Sequence, residues 1–211
     1  MRIPASGLVV SVAVVVGLSG LPATALGAGR AGRLPLVVVV DDRAPVLPGM
    51  LDQAVKEAAR LYWQAGVATE WPAALAPATD QAATDDQFST RAFTVHVIIQ
   101  ATLRMDGDRS TKFLMGAAPE TARDCGGTVY VFQDQVAGFA NVQQVDAALV
   151  MGTVIAHEIG HVLLRQRGHS TEGLMRASWD ARDWQRAASG FLLFSSRDVA
   201  TIRAAISSCR H

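Results

Sequence analysis

The sequence has no excess of charge of either sign. Lysine plus arginine and aspartate plus glutamate each number 19, so the formal net charge is zero. Proteins that bind nucleic acid carry a basic patch or stripe, so this balance gives no argument for a nucleic-acid partner or an anionic surface. Half of the 211 residues are hydrophobic, which is enough to form the core of one domain.

Cysteine is scarce, and Cys125 and Cys209 are the only two. In an exported protein, such a pair is more often a disulfide than two free thiols. We therefore predict a disulfide between Cys125 and Cys209.

The N-terminal segment has the three parts of a secretory signal peptide. Arg2 precedes an apolar run at 8–18, and Ala23-Thr24-Ala25 has the pattern of a cleavage site. We predict a signal peptide at 1–25, a small-residue tether at 26–34, and a chain that is secreted, periplasmic or at the cell surface. The alternative is an uncleaved anchor, although the run is shorter than the roughly 18 apolar residues of a membrane span. No other segment is expected to cross a membrane, so the mature chain is expected to stay out of one.

Apolar patterning predicts a mixed fold over 35–211. A β-branched run at 36–40 suits a strand buried on both faces, and apolar residues alternate over 93–99 as in a strand. Helical spacing predicts a helix at 50–64, which Gly66 ends. Further elements are predicted as strands at 67–71, 113–118 and 128–132 and as helices at 142–164 and 199–206, with loops at 72–90 and 105–112.

The order of these elements limits the fold class. Strand, helix and strand at the start imply a right-handed crossover and a mostly parallel sheet. We expect an α+β domain with α/β-like character.

The segment 156–175 holds three of the five histidines. Residues four apart on a helix share a face, so His157 and His161 can bind one metal ion. Glu158 lies about 100° further around the helix, where it can reach a water on that ion. This is the H-E-x-x-H arrangement of zinc metalloproteases, and we predict Zn²⁺ as the cofactor and Glu158 as the general base.

A catalytic zinc has three protein ligands and one open position. His169 is the predicted third ligand, and Gly168 is expected to take the left-handed conformation that ends the helix and turns the chain back. Ser170 is expected to hold this turn by bonding to local backbone. His96, on the opposite face of its strand from the apolar residues, is interpreted as structural. Other third ligands remain open, namely Glu172, Asp180, Asp183 and His211.

The motif His157-Glu158-x-x-His161, with His169-Ser170 and Gly173-Leu174-Met175 after it, resembles the metzincin clan of zinc metallopeptidases and its matrixin members. The third histidine of the family falls at position 167 here, so the turn before His169 is longer. The resemblance implies a twisted five-stranded sheet with a backing helix, an active-site helix and a C-terminal helix. It also implies an antiparallel edge strand, here 113–118, that pairs with an extended substrate.

The same resemblance assigns Met175 to an apolar floor beneath the zinc histidines; the alternative is an ordinary core methionine. Some members carry a tyrosine two residues after this methionine, but position 177 is alanine, so the oxyanion stabiliser is not identified. Cys125 in Arg-Asp-Cys-Gly faintly resembles the zinc-blocking cysteine of matrixin propeptides, which is an alternative role for that residue.

These expectations favour a secreted zinc endopeptidase that acts as a monomer on peptide or protein substrates. Glu158 takes a proton as water attacks the peptide carbonyl and then protonates the leaving amine. The alternative is a catalytically silent, zinc-stabilised extracellular binding module. The intact Glu158 argues against that module, because a structural zinc site needs no base and is usually closed by a fourth ligand.

Overall fold

The computed structural model of the chain describes residues 33–72, 92–102, 114–119, 125–165 and 168–209. The predicted signal peptide at 1–25 lies outside these residues, as do most of the tether at 26–34, the loops at 72–90 and 105–112, and His211.

A single mixed sheet forms the centre of the described domain. The strands are β1 Leu34–Asp42, β2 Val67–Glu70, β3 Phe93–Gln100, β4 Gly116–Ala117 and β5 Gly126–Phe132. They run in the order β2-β1-β3-β5-β4, and all neighbouring pairs are parallel except β4 with β5. This confirms the predicted mixed fold and its mostly parallel sheet.

The antiparallel edge strand β4 is much shorter than the sequence predicts. It has two residues, with Gly116 opposite Val131 and Ala117 opposite Tyr130 of β5. The alternating apolar residues of β3 are buried as predicted, because this strand lies in the middle of the sheet.

Five helices are described, and two of them are not in the sequence prediction. The helix predicted at 142–164 is confirmed over 147–164, but its predicted start is wrong: two helices occupy 133–164, and they are separated where Gln144 takes a left-handed conformation with φ of 54°. Asp146 begins the second helix by accepting a hydrogen bond from Leu149 N at 2.8 Å, the role for which aspartate is favoured. The helices are α1 Pro48–Gln64, α2 Gln133–Gln143, α3 Ala147–Leu164, α4 Ala181–Ala188 and α5 Ser196–Ser208.

Helix α3 is the central helix and is buried along nearly its whole length. With 18 residues, this helix is long and apolar enough to span a membrane, contrary to our expectation that no such segment follows the N-terminus. However, 83% of the helix is buried inside the domain. A Cβ on Gly152 would lie 2.5 Å from Ala54 O, so α1 packs directly against α3. The buried Tyr62 of α1 donates a hydrogen bond to Ala156 O at 2.9 Å. These contacts hold α3 against α1.

Cys125 and Cys209 form the predicted disulfide, with their Cα atoms 5.5 Å apart. The bond joins the end of α5 to the residue before β5. Because the Cys125 thiol is consumed in this bond, the alternative role as a metal-blocking thiol is excluded.

We expect the double variant Cys125→Ala with Cys209→Ala to lower the free energy of unfolding by about 2–5 kcal/mol. The bond closes a separation of 84 residues, so its loss releases a long loop in the unfolded chain. Denaturant unfolding of the oxidised parent and the variant measures the difference. A reduced parent should match the variant, and equal stability of the oxidised parent and variant would contradict the prediction.

Candidate metal centre and cleft

Three imidazoles meet at the C-terminal part of α3. His157 and His161 lie one helical turn apart, and their Nε2 atoms are 3.0 Å from each other. The ring centroid of His169 lies 5.4 Å from that of His157 and 4.9 Å from that of His161. One ligand atom from each histidine lies within 4.8 Å of the other two. The three predicted ligands are therefore close enough to bind one metal ion.

The tautomer of His157 also fits a metal ligand. Its Nδ1 lies 2.9 Å from the carbonyl oxygen of Leu174. A carbonyl only accepts, so Nδ1 carries the proton and the lone pair is on Nε2, which faces His161. Burial lowers the pKa of His157 to about 4, with the neighbouring His161 and His169 adding to the effect. The ring is therefore neutral near pH 7, the form that binds metal.

The spacing of the donors is compatible with a tetrahedral ion. Two nitrogens at about 2.0–2.1 Å from such an ion lie roughly 3.3 Å apart, close to the 3.0 Å between His157 and His161. Imidazole donors suit zinc, and they also suit copper, iron and nickel. The residues thus fit a metal ion without determining which one.

Helix α3 ends at a different residue from the one predicted. Helix α3 ends at Leu164, and the left-handed residue after it is Arg165, with φ of 51°. The prediction for Gly168 is wrong, because Arg165 is the residue that ends this helix in the left-handed conformation. The helix ends too early for that glycine to occupy the capping position, so Arg165 adopts a conformation that is uncommon outside glycine.

A tight turn at 170–175 lies beside the histidines. Ser170 N donates to Met175 O at 2.7 Å, and Gly173 has a φ of 70°. A Cβ on Gly173 would also lie 2.5 Å from Leu193 O, so this position needs glycine for both conformation and space. The turn presents the Leu174 carbonyl to His157.

Met175 is fully buried where this turn meets α3. A Cβ on Gly160 would lie 2.5 Å from Met175 Sδ. Gly160, between the two helical histidines, therefore makes room for the methionine. Met175 thus packs against the part of α3 that carries the candidate ligands.

Glu158 lies against the edge strand. It is 7% exposed, and burial raises its pKa to about 8. A Cβ on Gly116 of β4 would lie 2.6 Å from Glu158 Cγ and 2.7 Å from Oε1. Only glycine at position 116 leaves this space for the carboxyl group, a requirement that sequence patterning does not reveal.

The candidate ligands and Glu158 line one cavity of about 770 Å³, a size typical of small-molecule and peptide sites. Gly116 and Ala117 of the edge strand line this cavity, together with the apolar residues Phe139, Val154 and Val162. Trp179 also lines the cavity; its ring meets His157 edge-on at a centroid distance of 5.1 Å.

The other candidate ligands lie elsewhere. Asp180 caps α4 by accepting from Arg182 N and Asp183 N, and Asp183 pairs with Arg176. Glu172 is exposed and is not in the histidine cluster, and neither is His96, which is exposed on β3.

Three contacts of the site are not evident from sequence patterning. Trp179 Nε1 donates to Leu174 O at 3.2 Å, so this carbonyl accepts from both Trp179 and His157. Ser170 Oγ donates to Asp198 of α5 at 2.8 Å, and not to local backbone as predicted. The third is the contact of Gly116 with Glu158. Each of these contacts joins residues that are not neighbours in the sequence. Only Trp179 lies close enough to the histidine motif for the sequence to suggest a role in the site.

No protein-family model and no curated protein matches this chain. The geometry of the site therefore carries the functional argument.

We expect His157→Ala, His161→Ala and His169→Ala each to weaken divalent-metal binding by more than about 100-fold, since loss of a ligand should exceed the 10–100-fold effect of losing an outer-shell partner. His96→Ala is the matched control, because His96 is exposed and away from the cluster. Chelator competition with purified, folded chains measures the affinity. Unchanged binding by His169→Ala would contradict the proposed third ligand.

Proposed function

We propose that this chain is a zinc-dependent endopeptidase with a metzincin-like catalytic domain. The observation that carries the proposal is a buried carboxyl group, Glu158, beside a cluster of three imidazoles in one cleft. Closed structural zinc sites have four protein ligands. Three histidines leave one position open, and a carboxyl group lies in the same cavity to act on a water there.

Zinc is the metal we propose, because imidazole donors suit it and a catalytic zinc has three protein ligands. His157, His161 and His169 would hold the ion, with the His157 ring oriented through Leu174 O. When bound, zinc would supply Lewis acidity that polarises the scissile carbonyl and lowers the pKa of water.

Glu158 is the proposed general base and acid. In its ionised form, which a bound cation would favour against the burial that raises its pKa to about 8, it takes a proton from a water molecule as the oxygen attacks the peptide carbonyl carbon. It then gives this proton to the leaving nitrogen as the C–N bond breaks. Its side chain is held in place by the close approach of Gly116, so it has little freedom to turn away from the cleft.

Strand β4 is the proposed docking edge for the substrate. Among the described strands it is the last in the sheet order, and its only partner there is β5. The same residues, Gly116 and Ala117, line the cavity with Glu158. An extended peptide can add to such an edge through main-chain hydrogen bonds, which places its carbonyl groups near the histidines and allows varied side chains.

Export from the cytosol is part of the proposal. The Cys125–Cys209 disulfide is of the kind that persists in oxidising compartments, in agreement with the signal peptide expected at 1–25. All the proposed ligands and the base come from one chain, so the proposal requires no second copy.

We expect Glu158→Gln to retain zinc while losing roughly 10²- to 10⁴-fold in the rate of casein cleavage, the usual contribution of a general acid–base group. The amide keeps the size of the side chain but cannot accept the proton. Zinc content and hydrolysis are measured on the same samples, with and without a chelator. Equal cleavage by parent and variant would refute the role of Glu158, and a zinc-loaded parent without hydrolysis would favour the binding module.

We expect Gly116→Ala to lower kcat by about 100-fold, the cost of a small displacement in a catalytic group. The added methyl would lie 2.6 Å from Glu158 Cγ, so the carboxyl group has to move. The matched control is Gly138→Ala in α2, where an added Cβ has nothing within 4 Å. Zinc binding should be the same in both variants, and equal kcat values would contradict the prediction.

A further inference from the structure

A buried carboxylate outside the cleft connects α5 to the segment that carries His169 and Ser170. Asp198 is 4% exposed and lies in the first turn of α5. Its Oδ2 accepts from Ser195 Oγ at 2.7 Å and from Ser195 N at 3.3 Å. Its Oδ1 accepts from Ser170 Oγ at 2.8 Å.

The two oxygens of this carboxylate have separate roles. A capping box needs one acceptor at the third helical position, and Oδ2 meets that need through Ser195. The bond from Oδ1 spans 28 residues of sequence and contributes nothing to the cap. It joins the helix to Ser170, the residue that follows the candidate third ligand.

His169 depends on its loop more than the other two histidines do. His157 and His161 are fixed by the buried helix α3, whereas His169 is exposed and lies outside any helix or strand. Beside it, Ser170 is held twice, by its side chain on Asp198 and by its main chain on Met175 O. Hydrogen bonds to a charged acceptor are stronger than neutral ones, so the side-chain bond is the stronger of the two restraints.

Helix α5 is a firm base for this restraint. Ile202 and Ile206 are buried in the core, and Cys209 at its end is bonded to Cys125. The position of Asp198 is thereby fixed relative to the sheet.

We propose that Asp198 is a positioning residue for the metal site, and that it holds His169 in its binding position through Ser170. The proposal rests on metal binding by the three histidines, as in the proposed function. Without the Ser170 hydroxyl, the segment around His169 adopts other conformations in the metal-free protein. Metal binding must then order this segment, and the free-energy cost of that ordering lowers the metal affinity. Asp198 touches neither substrate nor metal.

The test is the zinc affinity of Ser170→Ala, measured on the full oxidised chain by chelator competition. We expect about tenfold weaker binding, the lower end of the effect of outer-shell partners. Ser170→Thr keeps the hydroxyl and should restore the parent affinity. The matched control is Ser195→Ala, which removes the hydroxyl that donates a hydrogen bond to Oδ2, the other oxygen of the Asp198 carboxylate. This variant should have a lower unfolding midpoint, and its zinc affinity should stay within about twofold of the parent.

The outcomes separate this inference from the proposed function. A parent that binds zinc, with Ser170→Ala binding as tightly, overturns the positioning role and leaves the metal site intact. Equal losses of affinity in Ser170→Ala and Ser195→Ala also overturn it, because the effect would then follow general stability. A parent that binds no zinc overturns both.

Discussion

The hydrogen bond between His157 Nδ1 and the Leu174 carbonyl is the interaction on which the site depends. It orients the imidazole, leaves the lone pair on the nitrogen that faces His161, and attaches the turn at 170–175 to α3. The carbonyl is held in turn, because Leu174 N donates to Leu193 O at 2.8 Å and Trp179 Nε1 donates to the same carbonyl oxygen. One main-chain group thus connects the helix, the turn and the segment before α4.

This arrangement requires polar groups in an apolar helix. His157 and Glu158 lie within the buried length of α3, and burial disfavours the charged form of both. Such groups are costly in the core unless the surroundings fix and use them. Glycines at 152 and 160 let α1 and Met175 approach closely, so dense packing around the helix offsets that cost.

The cleft combines parts that are far apart in the sequence. The edge strand at 116–117, the helix at 157–161 and the loop at 169 come together because β4 pairs with β5 and α3 packs beside that strand. Helix α5 then ties one of these parts to the sheet, since Asp198 holds the loop and Cys209 is bonded to Cys125 at the start of β5. The site is therefore a property of the whole domain, although its ligands lie within one short segment.

Much of this was predictable from local patterns. Helical periodicity places His157, Glu158 and His161 correctly, because a spacing of four residues defines a face without reference to the rest of the fold. Alternation identifies β3, and the last helix was predicted within the bounds of α5. The break between α2 and α3 was missed, since apolar residues continue across it and capping by Asp146 overrides that pattern.

Local patterns were enough to identify the chemical groups of the site: two imidazoles and a carboxyl group on one helix, a third histidine nearby, and a pair of cysteines able to bond. Tertiary structure alone decided that Gly116 lies against Glu158, that Ser170 bonds Asp198, and that Arg165 ends α3 in place of Gly168. The difference lies in how far apart in the sequence the contacting residues are. Spacing along a helix fixes neighbours three or four residues apart, whereas contacts between distant segments depend on how every element packs.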